Sequence, residues 1–262
     1  MNILDKIIGH KRVEVEQSKR DRPAAVLEKS AFFSRQPLSL RKFLTDPDKT
    51  GIIAEFKRRS PSKGVINDQA DVSAVTAAYT ANGASCLSVL TDGHFFGGSG
   101  DDLMKARANE LPILRKDFMI DPYQVTEARA MGADVILLIA ACLSPAEVKS
   151  LAVFARSLGL ETLLEIHNEE ELGHICEETE IIGVNNRDLK TFTVDTERSV
   201  QLSKKIPEGK IMISESGIGK VETILHLKKY GFRGFLIGEN FMKEKDPAAA
   251  FEKFVRELKD AG

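Results

Sequence analysis

The sequence predicts an α/β protein, a (β/α)8 TIM barrel preceded by an N-terminal helical extension, and three observations carry that prediction. Eight short runs rich in Ile, Leu and Val recur along the chain. Segments with helix-capping residues separate them. The runs start more than 20 residues apart, too far for hairpins and suited to right-handed βα crossovers in a parallel sheet. Eight such units without a visible reversal close most simply into a barrel. An open doubly wound sheet is the alternative, but the first unit lacks the GxGxxG turn of that fold.

Residues 1–50 precede the first apolar run and carry helical patterning broken near Pro23, Pro37 and Pro47. They are expected to form an extension packed on a barrel that spans 51–262, with no linker marking a second domain. The strand candidates follow in order: 51–57, 86–91, 111–117, 134–140, 160–166, 181–187, 210–216 and 234–239. Each is a near-continuous apolar run, as strands covered on both faces require. Between them, 144–158 opens with Ser144 as N-cap, Pro145 at the first helical position and Glu147 three residues after the cap, and Gly159 stops it. The segment 121–132 repeats the grammar with Asp121, Pro122 and Gly132. The segment 217–231 puts Val221, Ile224 and Leu225 on one face.

Bulk composition bounds the function. A 262-residue chain with 42% hydrophobic and 29% charged residues is an ordinary globular balance. Net charge is −2, with 37 basic against 39 acidic residues, so no global field recruits nucleic acid or an anionic membrane. Three well-separated cysteines, Cys86, Cys142 and Cys176, fit neither a disulfide framework nor a metal site and predict reduced thiols in a cytoplasmic protein. The opening stretch has no secretory pattern, and no run approaches the length of a membrane span.

Parity locates the chemistry. In a barrel, alternate strand residues point inward and the active site lies at the C-terminal face. Ile53, Glu55 and Lys57 share one face of the first strand. Leu114 pairs with Lys116, Leu163 with Glu165, Gly183 with Asn185 and Arg187, and Ile213 with Glu215. A charge at one strand end usually just solvates the exit from the core. Five strands that turn from apolar to ionisable or amide on one parity describe a common mouth. Lysines near other cations there lose protons more readily, and carboxylates in an apolar pocket hold them longer, which suits acid–base chemistry on a carbonyl or hydroxyl substrate.

Two glycine turns face that set. Ser216 and Gly217 precede a helix after the seventh strand, and Gly238 and Glu239 end the eighth, with the Glu239 carboxylate expected to turn outward. Strands seven and eight of barrels frequently bind phosphate, so a phosphorylated substrate is expected. Phe95 and Phe96 in a glycine-flanked loop, and Phe118 after Lys116, offer walls for an aromatic group. His94 has no triad partners and reads as incidental, and no histidine, His167 included, has metal spacing.

The segments "EFKRRSPSKG", "PILRKDF", "LLEIHNEEEL", "IIGVNNRDLKTF", "SESGI" and "FLIGENFM" together resemble the indole-3-glycerol phosphate synthase family along nearly the whole chain. The resemblance implies ring closure of 1-(2-carboxyphenylamino)-1-deoxyribulose 5-phosphate with loss of CO2 and water, without metal or redox cofactor. A small phosphorylated substrate is the expected partner, with no nucleic acid or membrane, and a monomer or weak homo-oligomer is expected. By position, Lys116 corresponds to the general acid for ring attack on the carbonyl. Glu165 and Lys57 correspond to the base and acid of dehydration, with Glu55 in support. Asn185, Arg187 and Glu215 correspond to the polar shell. Ser216, Gly217, Gly238 and Glu239 match the phosphate cradle; Phe96, Phe118 and Leu137 match the wall of the anthranilate ring; Ser60 joins the substrate-binding set. The loop from Arg58 to Lys63 is expected to cover the mouth, its cations attracting the anionic substrate. Phe56 departs from the family's usual Ile or Tyr with packing consequences only, and Asn240 stands where Ser is common.

Three other readings compete. A phosphoribosylanthranilate isomerase needs Cys and Asp where this chain has Lys57 and Asn185. A Schiff-base aldolase would use a nucleophilic lysine. A barrel that only binds phosphometabolites would lack one of the matched residues, and all are present.

Overall fold

The computed structural model describes residues 3–189 and 191–261. Met1, Asn2, Lys190 and Gly262, which fall within the spans assigned above, lie outside the described residues. Eight parallel strands close into a barrel: β1 (Ile52–Phe56), β2 (Cys86–Leu90), β3 (Ile113–Lys116), β4 (Val135–Ile139), β5 (Glu161–Ile166), β6 (Ile181–Asn185), β7 (Ile211–Glu215) and β8 (Phe232–Ile237). Each pairs with its sequence neighbours, and β8 closes on β1 through Ile52–Phe235 and Ala54–Ile237. The first seven runs are trimmed by a residue or two. The last strand begins two residues before its apolar run, because exposed Arg233 and a register shift between Phe232 and Gly234 interrupt the pattern.

Alternation along the strands separates two cores. Ile53, Leu114, Val135, Leu163, Ile181 and Ile213 fill the barrel, and Leu40 and Leu44 from the helix Leu40–Thr45 close its N-terminal end. The opposite parity, including Ala54, Phe56, Leu87, Ile113, Ile136 and Leu164, packs under the outer helices. Phe56 thus lies in the outer layer, where the Arg58 guanidinium sits over its ring at 4.8 Å.

Local signals act as the sequence requires. Ser144 accepts from the Glu147 backbone N–H while the Glu147 carboxylate accepts from the Ser144 N–H, a capping box for the helix Pro145–Ser157. Asp121 caps Pro122–Met131, and Gly132 ends that helix at φ 89°. One boundary differs. The helix after β7 starts at Val221 rather than at the glycine turn, because Ser216 and Gly217 sit at φ 67° and 76°, outside helical space.

The N-terminal segment forms α1 (Ile3–Asp21) and the short helix Ala24–Leu27 before Leu40–Thr45. Val15 and Leu27 pack with Tyr123 and Ala130. Tyr123 donates its hydroxyl to the carbonyls of Ser18 and Arg22, both at 2.9 Å. Lys11 of α1, 0% exposed, reaches Asp92 at 3.0 Å and Asp117 at 2.9 Å in the loops after β2 and β3. The extension is therefore fastened to the loops at the C-terminal mouth.

Candidate active site

Register decides which inward side chains meet. Ser88 of β2 lies opposite Glu55, Glu165 opposite Gly183, and Asn185 opposite Glu215. The result is one cavity of about 520 Å³ at the C-terminal mouth, the size of small-ligand sites.

At its floor, the Lys116 ammonium donates to Glu165 Oε2 at 3.1 Å and to Glu215 Oε2 at 2.9 Å. Lys57 donates to Glu55 Oε1 at 2.6 Å, and Ser88 reaches Glu55 Oε2 at 3.4 Å. Asn185 joins the two ends of the site. Its Nδ2 donates to Glu165 Oε1 at 3.1 Å, while its Oδ1 accepts from the Ser216 hydroxyl at 2.9 Å and the Arg187 N–H at 3.0 Å. Glu215 is the one predicted site residue that does not line the cavity. It lies beneath Lys116, buried, with Oε1 unpartnered.

The charges here differ from the expectation for lysine. Burial pulls the Lys116 pKa down, but the carboxylates of Glu215, Glu165 and Glu55 outweigh it and hold the group above its ordinary range. Lys116 is a secured ammonium because its neighbours are acids, not other cations. Burial likewise opposes ionisation of Glu165, yet Lys116, His167 and Asn185 keep its pKa below the ordinary carboxylate range. Glu215 goes the other way. Burial, with the charges of Glu165 and Glu55, overcomes Lys116 and pushes it up to about 7. Such a floor can deliver a proton from an ammonium and accept one on a carboxylate.

The walls are of two kinds. Phe96 and Phe118 face each other with ring centroids 6.0 Å apart, and Leu137 adjoins them in the cavity lining. Asp92 holds the Phe96 turn by accepting from the N–H groups of Phe95 and Phe96. His94 in that turn stacks on His10 at 4.4 Å. Opposite lie Ser216, Gly217, Gly238 and Glu239, with Gly238 preceding the short helix Glu239–Met242. Asn186 steadies the strained Ser216 by donating to its carbonyl at 3.0 Å and to the Ser214 hydroxyl at 2.9 Å.

Two expectations about loop charges are corrected. The Glu239 carboxylate turns to the rim, not outward, because Arg187 at 3.5 Å and Lys63 at 3.6 Å flank it. Arg58 does not face the mouth, since Asp102 takes both its terminal nitrogens at 2.6 and 2.9 Å. Ser60, Pro61, Ser62 and Lys63 do line the cavity.

Sequence reasoning missed two contributions. Ile3, Leu4 and Ile7 of α1 line the cavity, though as apolar residues of a distant helix they carried no functional signal. His167 stands 3.2 Å from Glu165 Oε1. Its position two residues after Glu165, on the same parity, was the available signal.

Known proteins resemble this chain along nearly its whole length. Residues 4–255 match the family model described as indole-3-glycerol phosphate synthase. A protein of that name from Bacteroides thetaiotaomicron is 45% identical over 98% of this chain and 99% of its own. Those from Bordetella pertussis and Salinibacter ruber are 42% and 43% identical, over 97% and 99% of this chain and 99% and 97% of theirs. Among solved structures, tryptophan synthase subunit alpha from Legionella pneumophila superposes with a TM-score of 0.61 at 16% identity, over 85% of this chain and 97% of that one. That likeness bears on the fold alone.

Proposed function

The chain belongs to the indole-3-glycerol phosphate synthase family, and from that premise we propose that its cavity closes the indole ring of 1-(2-carboxyphenylamino)-1-deoxyribulose 5-phosphate, releasing CO2 and water. The observation that carries this reading is the seat of Lys116 between Glu165 and Glu215 on the cavity floor. The two unlike walls support it as well, because they match a substrate with an aromatic ring at one end and a phosphate at the other.

The substrate ring lies against Phe96, Phe118 and Leu137, and the phosphate lies at the turns of Ser216, Gly217, Gly238 and Glu239, with Arg187 and Ser60 at the rim. Holding both ends folds the sugar chain back so that the ring carbon bearing the carboxylate faces the ribulosyl carbonyl. Enforced proximity of this kind removes much of the entropic barrier. Lys116 donates its proton to the carbonyl oxygen as the carbon–carbon bond forms, and CO2 leaves. In dehydration, Lys57 protonates the departing hydroxyl and Glu165 takes the proton from the neighbouring carbon. Glu55 holds Lys57, Asn185 and Glu215 hold the Glu165–Lys116 pair, and the restored ring is indole. A lysine held as ammonium is a poor nucleophile, which favours acid catalysis over a Schiff base.

We place the protein in the cytoplasm, a reading supported by three free cysteines. We also propose that the N-terminal extension and barrel work as one domain, as a monomer or weak homo-oligomer. Incubation with the carboxyphenylamino-deoxyribulose phosphate tests the function. Indole fluorescence and CO2 release are expected, and their absence with folded wild-type protein overturns the assignment. Lys116→Ala should lower turnover by roughly 10²–10⁴-fold with circular dichroism unchanged, and borohydride with substrate should trap no adduct.

A further inference from the structure

We propose that His167 is a positioning residue for Glu165, its ring held by Glu171 on one side and fixing the Glu165 carboxylate on the other. The inference rests on the reading of Glu165 as the base of dehydration. His167 follows β5 and is buried, with Nε2 3.2 Å from Glu165 Oε1 and Nδ1 3.2 Å from Glu171 Oε2. The same Glu171 oxygen accepts from the His167 backbone N–H at 2.7 Å. Asn168 donates to Glu171 Oε1 at 3.1 Å, and the His174 ring lies 3.1 Å from the Glu171 carbonyl. Glu171 is thus fixed independently of the cavity.

The arrangement completes the hold on Glu165. Lys116 occupies Oε2, and Asn185 and His167 share Oε1. Two hydrogen-bond donors and the adjacent imidazolium charge together favour one orientation of the carboxylate. Without His167 it turns on Asn185 and Lys116 alone. The facing charged groups are Glu165 on β5 and Glu171 in the turn that follows, with Lys116 beyond Glu165. The thiol of Cys142, pushed up to about 12 by burial and these two carboxylates, stays neutral. Burial alone would lower the His167 pKa, but Glu165 and Glu171 raise it to about 9. At neutral pH both ring nitrogens therefore carry protons: Nδ1 hydrogen-bonds Glu171 Oε2 at 3.2 Å, and Nε2 pairs with Glu165 Oε1 by charge and proximity, off the hydrogen-bond line. His167 does not line the cavity, so it acts on substrate only through Glu165.

The test is a double-mutant cycle in the full chain. His167→Ala should lower kcat roughly 100-fold, the scale of a misplaced reacting group, with KM within about twofold. In a Glu165→Gln background the same change should alter kcat by less than about twofold. His167→Gln, whose amide can still donate toward Glu165, should recover most of the kcat at pH 7 but lose the decline that wild type shows as pH rises through about 9. Equal losses in both backgrounds, a KM that rises in step, or a His167→Gln profile identical to wild type overturns the proposal. Histidine-ring NMR separates this from failure of the assigned reaction, because it needs no turnover. Glu171→Gln and Glu165→Gln should each bring the His167 titration down from about 9 toward the ordinary 6.5, and an unchanged titration also overturns it.

Discussion

Gly183 leaves open the space that the Glu215 carboxylate fills. A Cβ at Gly183 would overlap Oε1 of Glu215 and stand 3.1 Å from Cδ1 of Leu163. The glycine on β6 is what lets the acid on β7 lie flat beneath Lys116. Gly183→Ala displaces the tip of a side chain and leaves the backbone alone, so the cost falls on chemistry. We expect kcat to fall roughly 100-fold while the thermal midpoint moves little. A variant that keeps kcat but melts much earlier contradicts this account.

Glu215 gives the site a titration near neutrality. Burial and the charges of Glu165 and Glu55 raise its pKa from 4.5 to about 7. A group raised in the folded state stabilises the fold fully below its ordinary pKa and loses that contribution as pH rises through the raised value. Wild type should therefore lose urea resistance between about pH 4.5 and pH 7, and Glu215→Gln should flatten that slope. A parallel slope in the variant assigns the titration to another group.

Alternation along the strands was enough to bring Glu55, Lys57, Lys116, Glu165, Asn185 and Glu215 to one mouth, because a barrel allows a strand residue only two directions. What it could not read were relations between loops. Arg58 looks like a substrate cation in sequence, yet the partner that removes it, Asp102, lies in another loop. Likewise Ile3, Leu4 and Ile7 look like packing residues, and only the docking of α1 brings them to the cavity. The turn at Ser216 reads as a helix start until its backbone angles are known. Local pattern carries periodicity and capping, whereas pairings over long sequence separations need the closed fold.

Lys11 shows how much depends on such a pairing. Fully buried, it bridges Asp92, which holds the Phe96 turn, and Asp117, which accepts from the Phe118 N–H at 2.8 Å. Burial would raise the Asp117 pKa, but Lys11 and Arg115 depress it to about 2. Its stabilising contribution is therefore complete above the ordinary 3.8 and lost as pH falls through about 2. Lys11→Met leaves Asp92 without its cation and Asp117 with Arg115 alone, and should cost about 3–5 kcal/mol in urea unfolding, less in acid where Asp117 is protonated. It should also raise KM more than it lowers kcat, since both aromatic walls loosen while Lys116 stays paired. A change in kcat alone would speak against Lys11 as the fastening of the ring site.

Gly238 makes the opposite case to Gly183. A Cβ at Gly238 would lie 2.6 Å from Glu55 Oε1, but also 2.8 Å from Glu55 Cβ and 3.0 Å from its Cγ. A carboxylate tip can rotate away. A Cβ cannot, because it is fixed to the backbone of β1, which pairs with β8 at Ala54 and Ile237. Gly238→Ala must therefore push β8 away from β1 where the barrel closes, a strain of about 1–3 kcal/mol. It also displaces Glu55 and, with it, the 2.6 Å pair to Lys57. We expect a lower thermal midpoint than for Gly183→Ala, together with lost turnover. Because the turn bearing Gly238 is also the proposed phosphate seat, inorganic phosphate should protect wild type from thermal unfolding and protect Gly238→Ala less. Equal midpoints for the two alanine variants would show that the Glu55 stem yields as easily as the Glu215 tip, and the distinction drawn from these distances would fail.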